Sequence, residues 1–123
     1  MMASVEGMSV AALEAGVPWN WSTFAEYLDR LEGNIGVNAA FLVGHCALRR
    51  YVMGAEAVGN EATPEQIAEM QRVLAESIDA GGLGFSTTLS RTHSDGDGQP
   101  VASRWSNRDE LLALCEIVGA KPG

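Results

Sequence analysis

The chain has 123 residues, of which 46% are hydrophobic and 20% charged, a composition typical of one soluble globular domain over residues 1–123. Eight basic and sixteen acidic residues give a formal net charge of −8, which opposes binding to nucleic acid or to an anionic membrane surface. Because Cys46 and Cys115 are far apart and no membrane span or secretory leader is visible, the sequence predicts a reduced, cytoplasmic protein.

The first predicted helix follows a proline-containing loop. Residues 1–16 show no sustained hydrophobic periodicity, and Pro18 then disfavours helix before it. Ser22 or Thr23 can cap a helix, because Glu26 follows Thr23 at the spacing of a capping box. This helix is expected to end near Glu32-Gly33. Its apolar stripe consists of Phe24, Tyr27, Leu28 and Leu31.

A continuous apolar run over residues 36–43 comes next and is flanked by glycines. Such a run predicts a strand that is buried on both faces, as in a parallel sheet. A short helical turn is expected over residues 47–53, and a loop over residues 54–60.

The segment Thr63-Pro-Glu-Gln66 is the strongest local signal in the chain. It combines a capping hydroxyl, a proline at the first helical position and a glutamine at the capping-box position. A helix is therefore predicted to about Ala80, where Gly81-Gly82 ends it. Its buried stripe is predicted to contain Ile67, Met70, Leu74 and Ile78.

The last part of the chain predicts a strand, a long polar loop and a helix. The strand covers residues 83–89, and the loop from Ser90 to about Arg104 is expected to bury no core. The helix is expected to begin at Ser106, because Ser106-Asn-Arg-Asp109 is similar to a capping box. Its predicted stripe consists of Leu111, Leu114, Cys115 and Val118, and its predicted end is at Gly119 and Pro122.

The resulting order of helix, strand, helix, strand and helix predicts an α/β fold with a parallel sheet. A right-handed crossover would place the carboxyl ends of both strands on one edge of that sheet, where α/β enzymes bind their substrates. His45 and the segment from Ser86 to His93 would meet at this edge.

Three residues at this edge are candidates for a functional site. An imidazole at position 45 could reach a ligand, a substrate or a metal, or it could hydrogen-bond a neighbouring loop and hold its shape. Ser86 and Thr87 offer hydroxyls suited to a carboxylate or an amide carbonyl, although no Gly-x-Ser-x-Gly elbow indicates a catalytic serine. Arg49 and Arg50 could clamp a carboxylate or form salt bridges. His93 is expected to be solvated.

The residues do not predict a metal centre in this chain. Its two histidines form neither His-x-His nor His-Glu-x-x-His, which zinc hydrolases use to converge ligands on the metal. The segment Asp95-Gly-Asp97-Gly98 lacks the further ligands of a calcium loop and predicts an exposed turn. No catalytic or metal-ligating residue is therefore predicted.

A combination of segments spread over most of the chain is more informative than any one of them. They are Met1-Met2 with Val5-Glu-Gly7, Gly16-Val-Pro-Trp-Asn-Trp21, Gly36-Val-Asn-Ala-Ala40, Val43-Gly-His45 with Leu48-Arg49, Ala62-Thr-Pro-Glu65, and Leu83-Gly-Phe-Ser-Thr87. Together they resemble an internal part of the D-aminoacylase (N-acyl-D-amino-acid deacylase) family, within the amidohydrolase superfamily.

The resemblance implies a (β/α)8 barrel that binds zinc and hydrolyses the amide bond of N-acyl amino acids. In the family the metal polarises the carbonyl and acidifies its bound water, and an aspartate transfers the proton. The family's His-x-His pair lies upstream of this region, and its other ligand histidines and catalytic aspartate lie downstream. We therefore expect about two βα units of a partial TIM-type barrel with a preceding helix, and no zinc bound by this chain alone.

The implied partner is a small N-acyl amino acid or a related amide, and His45, Ser86 and Thr87 are expected to face the mouth of the active site. His45 would orient a neighbouring loop or the substrate, and the hydroxyls would bind polar substrate atoms. After Thr87 the family's Gly-Leu-x-Tyr-x-Pro stretch is replaced by Thr88-Leu-Ser-Arg-Thr-His93, so D-amino-acid specificity is not carried over. The alternative is a non-catalytic α/β ligand-binding or interaction module that lacks the metal site.

Overall fold

A computed structural model of the protein describes residues 7–120, and these residues form an α/β structure with helices around a small parallel sheet. The α/β class predicted from the sequence is confirmed. The elements are α1 (Val10–Gly16), α2 (Phe24–Leu31), β1 (Val43–Gly44), α3 (His45–Met53), α4 (Pro64–Asp79), β2 (Phe85–Ser86) and α5 (Arg108–Gly119), with 3₁₀ turns at Gly54–Ala57 and Ala102–Trp105.

The sheet pairs β1 with β2 in parallel, with Val43 opposite Phe85 and Gly44 opposite Ser86. Both strands have two residues and are shorter than predicted: β1 overlaps the expected range 36–43 only at Val43, and β2 lies within the expected range 83–89. The apolar residues around them are not covered: Val37 is 75% exposed and Leu83 is 71% exposed. A strand buried on both faces needs a layer on each side, and residues 7–120 do not provide these layers here.

The helices with capping boxes begin where the sequence predicts them. Thr23 caps α2 and Thr63 caps α4, and in both helices the side chain three residues later bonds back to the cap backbone. The predicted turn over residues 47–53 is a full helix that already begins at His45. Helix α1 was not predicted; it is a short helix that is capped by Ser9 and contains no buried residue.

The start of α5 differs from the prediction. Asn107, not Ser106, is the N-cap residue, and its side chain accepts a hydrogen bond from the backbone N–H of Glu110. The Ser106 hydroxyl donates instead to the Ser103 carbonyl, at 2.7 Å. Cys115, predicted to lie in the buried stripe, is exposed. The predicted stop at Pro122 lies outside the described residues.

The core lies where α3, α4 and α5 pack together. Met70 and Leu74 from α4 and Leu114 from α5 are completely buried, as the helical periodicity predicts, and Leu48 from α3 is 3% exposed. The loop after β2 also contributes to this core, contrary to the prediction. Its turn at Ala102–Trp105 buries Ala102 and Ser103 next to α3.

Among the helices of residues 7–120, none combines the length and the apolar character that crossing a membrane would require.

Gly82 is the position where the turn after α4 comes closest to neighbouring atoms. A Cβ atom there would lie 2.9 Å from the Ser77 carbonyl oxygen and 3.2 Å from a methyl group of Val43. We expect Gly82→Ala to lower the free energy of unfolding by about 1–3 kcal/mol, because the backbone must shift. Gly36→Ala is the matched control, since its Cβ would meet nothing within 4 Å. Urea unfolding measures both, and equal stabilities of the two variants would contradict this packing.

Candidate functional site

The carboxyl ends of β1 and β2 lie at one edge of the sheet, as predicted, and they bring two of the three candidate residues into contact. His45 follows β1 directly and is the first residue of α3, while Thr87 follows β2. The Nδ1 atom of His45 lies 2.8 Å from the Thr87 hydroxyl oxygen. Ser86 lies in β2 and is exposed. The sequence therefore located the meeting point of His45 and Thr87.

The imidazole of His45 is almost completely buried, with 1% of the residue exposed. Its Nε2 atom lies 2.7 Å from Oε1 of Glu110, in the first turn of α5. The ring also packs against Phe85 of β2, with 5.1 Å between ring centroids. His45 thus connects the loop after β2 to α5 through its two ring nitrogens. Of the roles considered for His45, the structure shows hydrogen bonding to a neighbouring loop, and the partner there is the side chain of Thr87.

Arg49 extends this cluster along α3 and is also completely buried. Its guanidinium group donates to Oε2 of Glu110, so the carboxylate is held by a cation on one side and an imidazole on the other. The same guanidinium donates to the carbonyl of Asn60 at 2.7 Å and to that of Ala57 at 3.3 Å. Of the two roles considered for Arg49, the salt bridge is the one observed.

The Glu110 carboxyl is buried, and its pKa reflects two opposing effects. Burial raises the pKa, whereas hydrogen bonds from His45 and Arg49 and the positive charge of Arg49 lower it more strongly. The net pKa lies below the usual value of a glutamate. Glu110 is therefore ionised at neutral pH and forms a buried ion pair with Arg49.

A second set of contacts holds the loop after β2 against α3. The Ser103 hydroxyl donates to the Thr88 carbonyl at 2.7 Å, and the Ser103 backbone N–H donates to the Cys46 sulfur at 3.4 Å. His93, predicted to be solvated, is only partly exposed and has its Nδ1 atom 3.1 Å from the Thr88 hydroxyl oxygen. These contacts fix the segment that carries Thr87.

Arg50 and the predicted turn at residues 95–98 contact each other at the surface of this loop. The Nη2 atom of Arg50 lies 3.6 Å from Oδ2 of Asp95, and the Arg50 side chain is about half exposed. Of the two roles considered for Arg50, the salt bridge is therefore the one observed. The Asp95 carboxylate also accepts hydrogen bonds from the backbone N–H groups of Asp97 and Gln99. The predicted turn is thus present, and its own backbone occupies one oxygen of Asp95.

The residues present do not fit a zinc centre. Within residues 7–120, no group of three or more histidine, cysteine or carboxylate side chains converges as metal ligands would. Both ring nitrogens of His45 are hydrogen-bonded to other side chains of the chain.

Sequence reasoning missed Glu110, which lies at the centre of the cluster. In the sequence it is one of two acidic residues in the first turn of a helix, where acids are common for their effect on the helix dipole. Its partners His45 and Arg49 lie 65 and 61 positions away. No local pattern relates residues at such separations.

The lowered pKa of Glu110 predicts a loss of stability in acid. A carboxyl group whose pKa is depressed in the folded state stabilises the fold above its unfolded pKa, and this contribution is lost as the pH falls through the folded pKa. We expect the wild-type chain to lose more unfolding free energy between pH 7 and acidic pH than Glu110→Gln does. Glu116→Gln, an exposed site on the same helix, is the control and should keep the wild-type pH dependence. Identical pH profiles for Glu110→Gln and the wild type would contradict this assignment.

Comparison with known proteins relates the chain to deacylases. It is 34% identical over 112 residues to a D-aminoacylase of Alcaligenes xylosoxydans xylosoxydans, and the match covers 90% of this chain and 21% of that protein. It is 33% identical over 106 residues to an N-acyl-D-aspartate deacylase of the same organism, with 85% of this chain and 19% of that protein covered. The chain is D-aminoacylase-like.

The resemblance predicted from the sequence motifs is thereby confirmed. The chain is also 36% identical over 106 residues to an uncharacterised protein of Mycobacterium tuberculosis, and the match covers 76% of this chain and 17% of that protein. The chain spans about a fifth of the length of the curated relatives it matches. No protein-family model matches it, and no solved structure does.

Proposed function

We propose that this D-aminoacylase-like chain is one segment of a hydrolase that cleaves the amide bond of N-acyl amino acids. The observation that carries the proposal is the similarity, over most of the chain, to two proteins named as deacylases of D-amino-acid derivatives. The proposed substrate is a small N-acyl amino acid, in the D form or as a related amide. The proposed place of contact is the sheet edge that His45, Ser86 and Thr87 occupy.

We also propose that β1 and β2 are neighbouring strands of a (β/α)8 barrel, to which residues 1–123 contribute one partial domain. Two parallel strands connected through helices are the repeating unit of such a barrel. Three leucines beside the strands support the proposal, because more than half of each is exposed and further barrel elements would cover them. They are Leu42, Leu83 and Leu89.

Zinc is proposed for the whole hydrolase and not for this segment. When bound, zinc would polarise the scissile carbonyl and acidify a water molecule. Its ligands would come from parts of the polypeptide beyond residues 7–120, since the described residues do not converge on a metal. The role left to this segment is to bind and orient the substrate at the strand edge.

The test is an assay of the complete protein encoded by the reading frame that contains this chain. We expect the purified protein to hydrolyse at least one member of a panel of N-acetyl-D-amino acids and their L counterparts. A chelator should abolish the activity, and added zinc should restore it. Absence of hydrolysis across the panel in the presence of zinc, or full activity after metal removal, would contradict the proposal.

A further inference from the structure

We infer that the Thr87 hydroxyl is held as a hydrogen-bond donor to His45, so that its oxygen presents an acceptor to ligands. The group it would bind is an N–H donor, such as the amide N–H of an N-acyl amino acid. The choice of ligand rests on the proposed function, whereas the direction of the hydrogen bond rests on the geometry of the site alone.

The first step concerns the side of His45 that faces α5. Glu110 is paired with the guanidinium group of Arg49 and is therefore a carboxylate, which can only accept hydrogen bonds. Its Oε1 atom lies 2.7 Å from Nε2 of His45, a hydrogen-bonding distance. Nε2 must therefore carry the proton in this contact.

The second step concerns the charge of the ring. The charged groups that contact the cluster are Glu110 from α5 and Arg49 from α3, and their charges cancel. Thr87, after β2, and the Phe85 ring also contact His45, and neither carries a charge. An imidazolium would leave one uncompensated positive charge in a site where His45, Arg49 and Glu110 are all buried. Because Arg49 and Glu110 balance each other, the buried cluster is without net charge only when the ring is neutral.

The third step follows from the first two. In a neutral imidazole one nitrogen carries the proton and the other is an acceptor. Since Nε2 carries the proton, Nδ1 accepts, and the group 2.8 Å away from it is the Thr87 hydroxyl. Thr87 thus donates its only hydroxyl proton to His45. The buried Glu110 thereby determines the hydrogen-bond direction of an exposed residue at the sheet edge.

For Thr87, this direction differs from the expectation that the hydroxyls of Ser86 and Thr87 would bind a carboxylate or an amide carbonyl. A hydroxyl that has donated its proton retains acceptor lone pairs and is complementary to an N–H group. In an N-acyl amino acid the amide N–H adjoins the scissile carbonyl. A contact from Thr87 to this N–H would orient the amide, which makes Thr87 a substrate-binding residue and His45 and Glu110 its positioning residues.

The proton positions can be measured directly by NMR on the 123-residue chain with ¹⁵N-labelled histidine. The chain has two histidines, so His93→Gln assigns the His45 signals. At neutral pH we expect a proton on Nε2 of His45 and none on Nδ1. A proton on Nδ1, or on both nitrogens, would overturn the inferred direction. This result does not depend on whether the protein hydrolyses any substrate.

The ligand is tested on the complete protein with a non-hydrolysed amide and its N-methylated analogue as competitive inhibitors. We expect the wild type to bind the N–H compound about 10-fold more tightly than its N-methyl analogue, the factor that corresponds to one hydrogen bond. Thr87→Ser should keep this ratio, and Thr87→Val should remove most of it. Circular dichroism checks that both variants are folded.

The outcomes separate the two proposals. An unchanged ratio in Thr87→Val would overturn the role of Thr87 in binding the N–H, even in an active hydrolase. A complete protein that binds and hydrolyses none of the compounds would overturn the proposed function, and with it this ligand. The histidine NMR would then still decide the direction of the hydrogen bond.

Discussion

Glu110→Gln is expected to lower the free energy of unfolding by about 3–5 kcal/mol, because it leaves the guanidinium group of Arg49 buried without a counter-ion. Glutamine keeps the size of the side chain but only one of the two acceptor oxygens that His45 and Arg49 contact, so the loss includes one hydrogen bond as well as the charge. Urea unfolding at neutral pH measures it. Domains of this size are only marginally stable, so a loss of this size is expected to leave the variant partly unfolded at 37 °C.

Two further variants keep this prediction falsifiable. Glu116→Gln changes an exposed carboxylate on the same helix and should alter stability by about 0.5 kcal/mol or less. The double variant Arg49→Met with Glu110→Gln removes both charges, and it should recover part of the loss, because no unpaired charge remains. If Glu110→Gln proved as stable as Glu116→Gln, the buried ion pair would be contradicted.

The second large effect is expected in the packing of α4 against α5. Leu114→Ala should cost about 2–5 kcal/mol, since Leu114 is completely buried in the core and the substitution leaves a cavity there. Leu112→Ala is the matched control on the same helix, where 47% of the leucine is exposed. It should cost about 0.5 kcal/mol or less. Similar losses for the two variants would show that α5 presents a different face to the core.

The sequence predicted those parts of the fold that depend on residues close together in the chain. Thr23 with Glu26 and Thr63 with Gln66 satisfy backbone groups three residues apart, so the starts of α2 and α4 could be read directly. The predicted N-cap of α5, Ser106, is one residue before the observed N-cap, Asn107, because serine and asparagine are both good N-cap residues. Only the hydrogen bond to Glu110 distinguishes them.

Strand length could not be predicted in the same way. An apolar run such as residues 36–43 indicates a buried strand only if other elements cover it, and Val37 is exposed in the described chain. If this segment belongs to a larger barrel, as proposed, the apolar run over residues 36–43 would be covered by barrel elements that lie outside residues 7–120. The relatives, about five times as long, are consistent with that explanation.

The candidate site was predictable only in part, for a related reason. Strand order and crossover place His45 beside Thr87, and this follows from general rules for parallel sheets. The contribution of Glu110 depends on how α5 docks against α3, which no short-range pattern contains. Fold topology therefore predicts that His45 and Thr87 meet, and tertiary packing determines which side chains bind His45 on its other side.

The proposed substrate site at the sheet edge of His45 and Thr87 is tested most directly by kcat/KM for an N-acetyl-D-amino acid. It is measured on the complete encoded protein with zinc, for the wild type and for His45→Gln. The glutamine amide can still donate to Glu110 but does not reproduce the acceptor that Nδ1 offers to Thr87. We predict hydrolysis by the wild type and a loss of about 10-fold or more in the folded variant, mainly through KM. An active wild type and a folded His45→Gln variant with the same kcat/KM would contradict the proposed site.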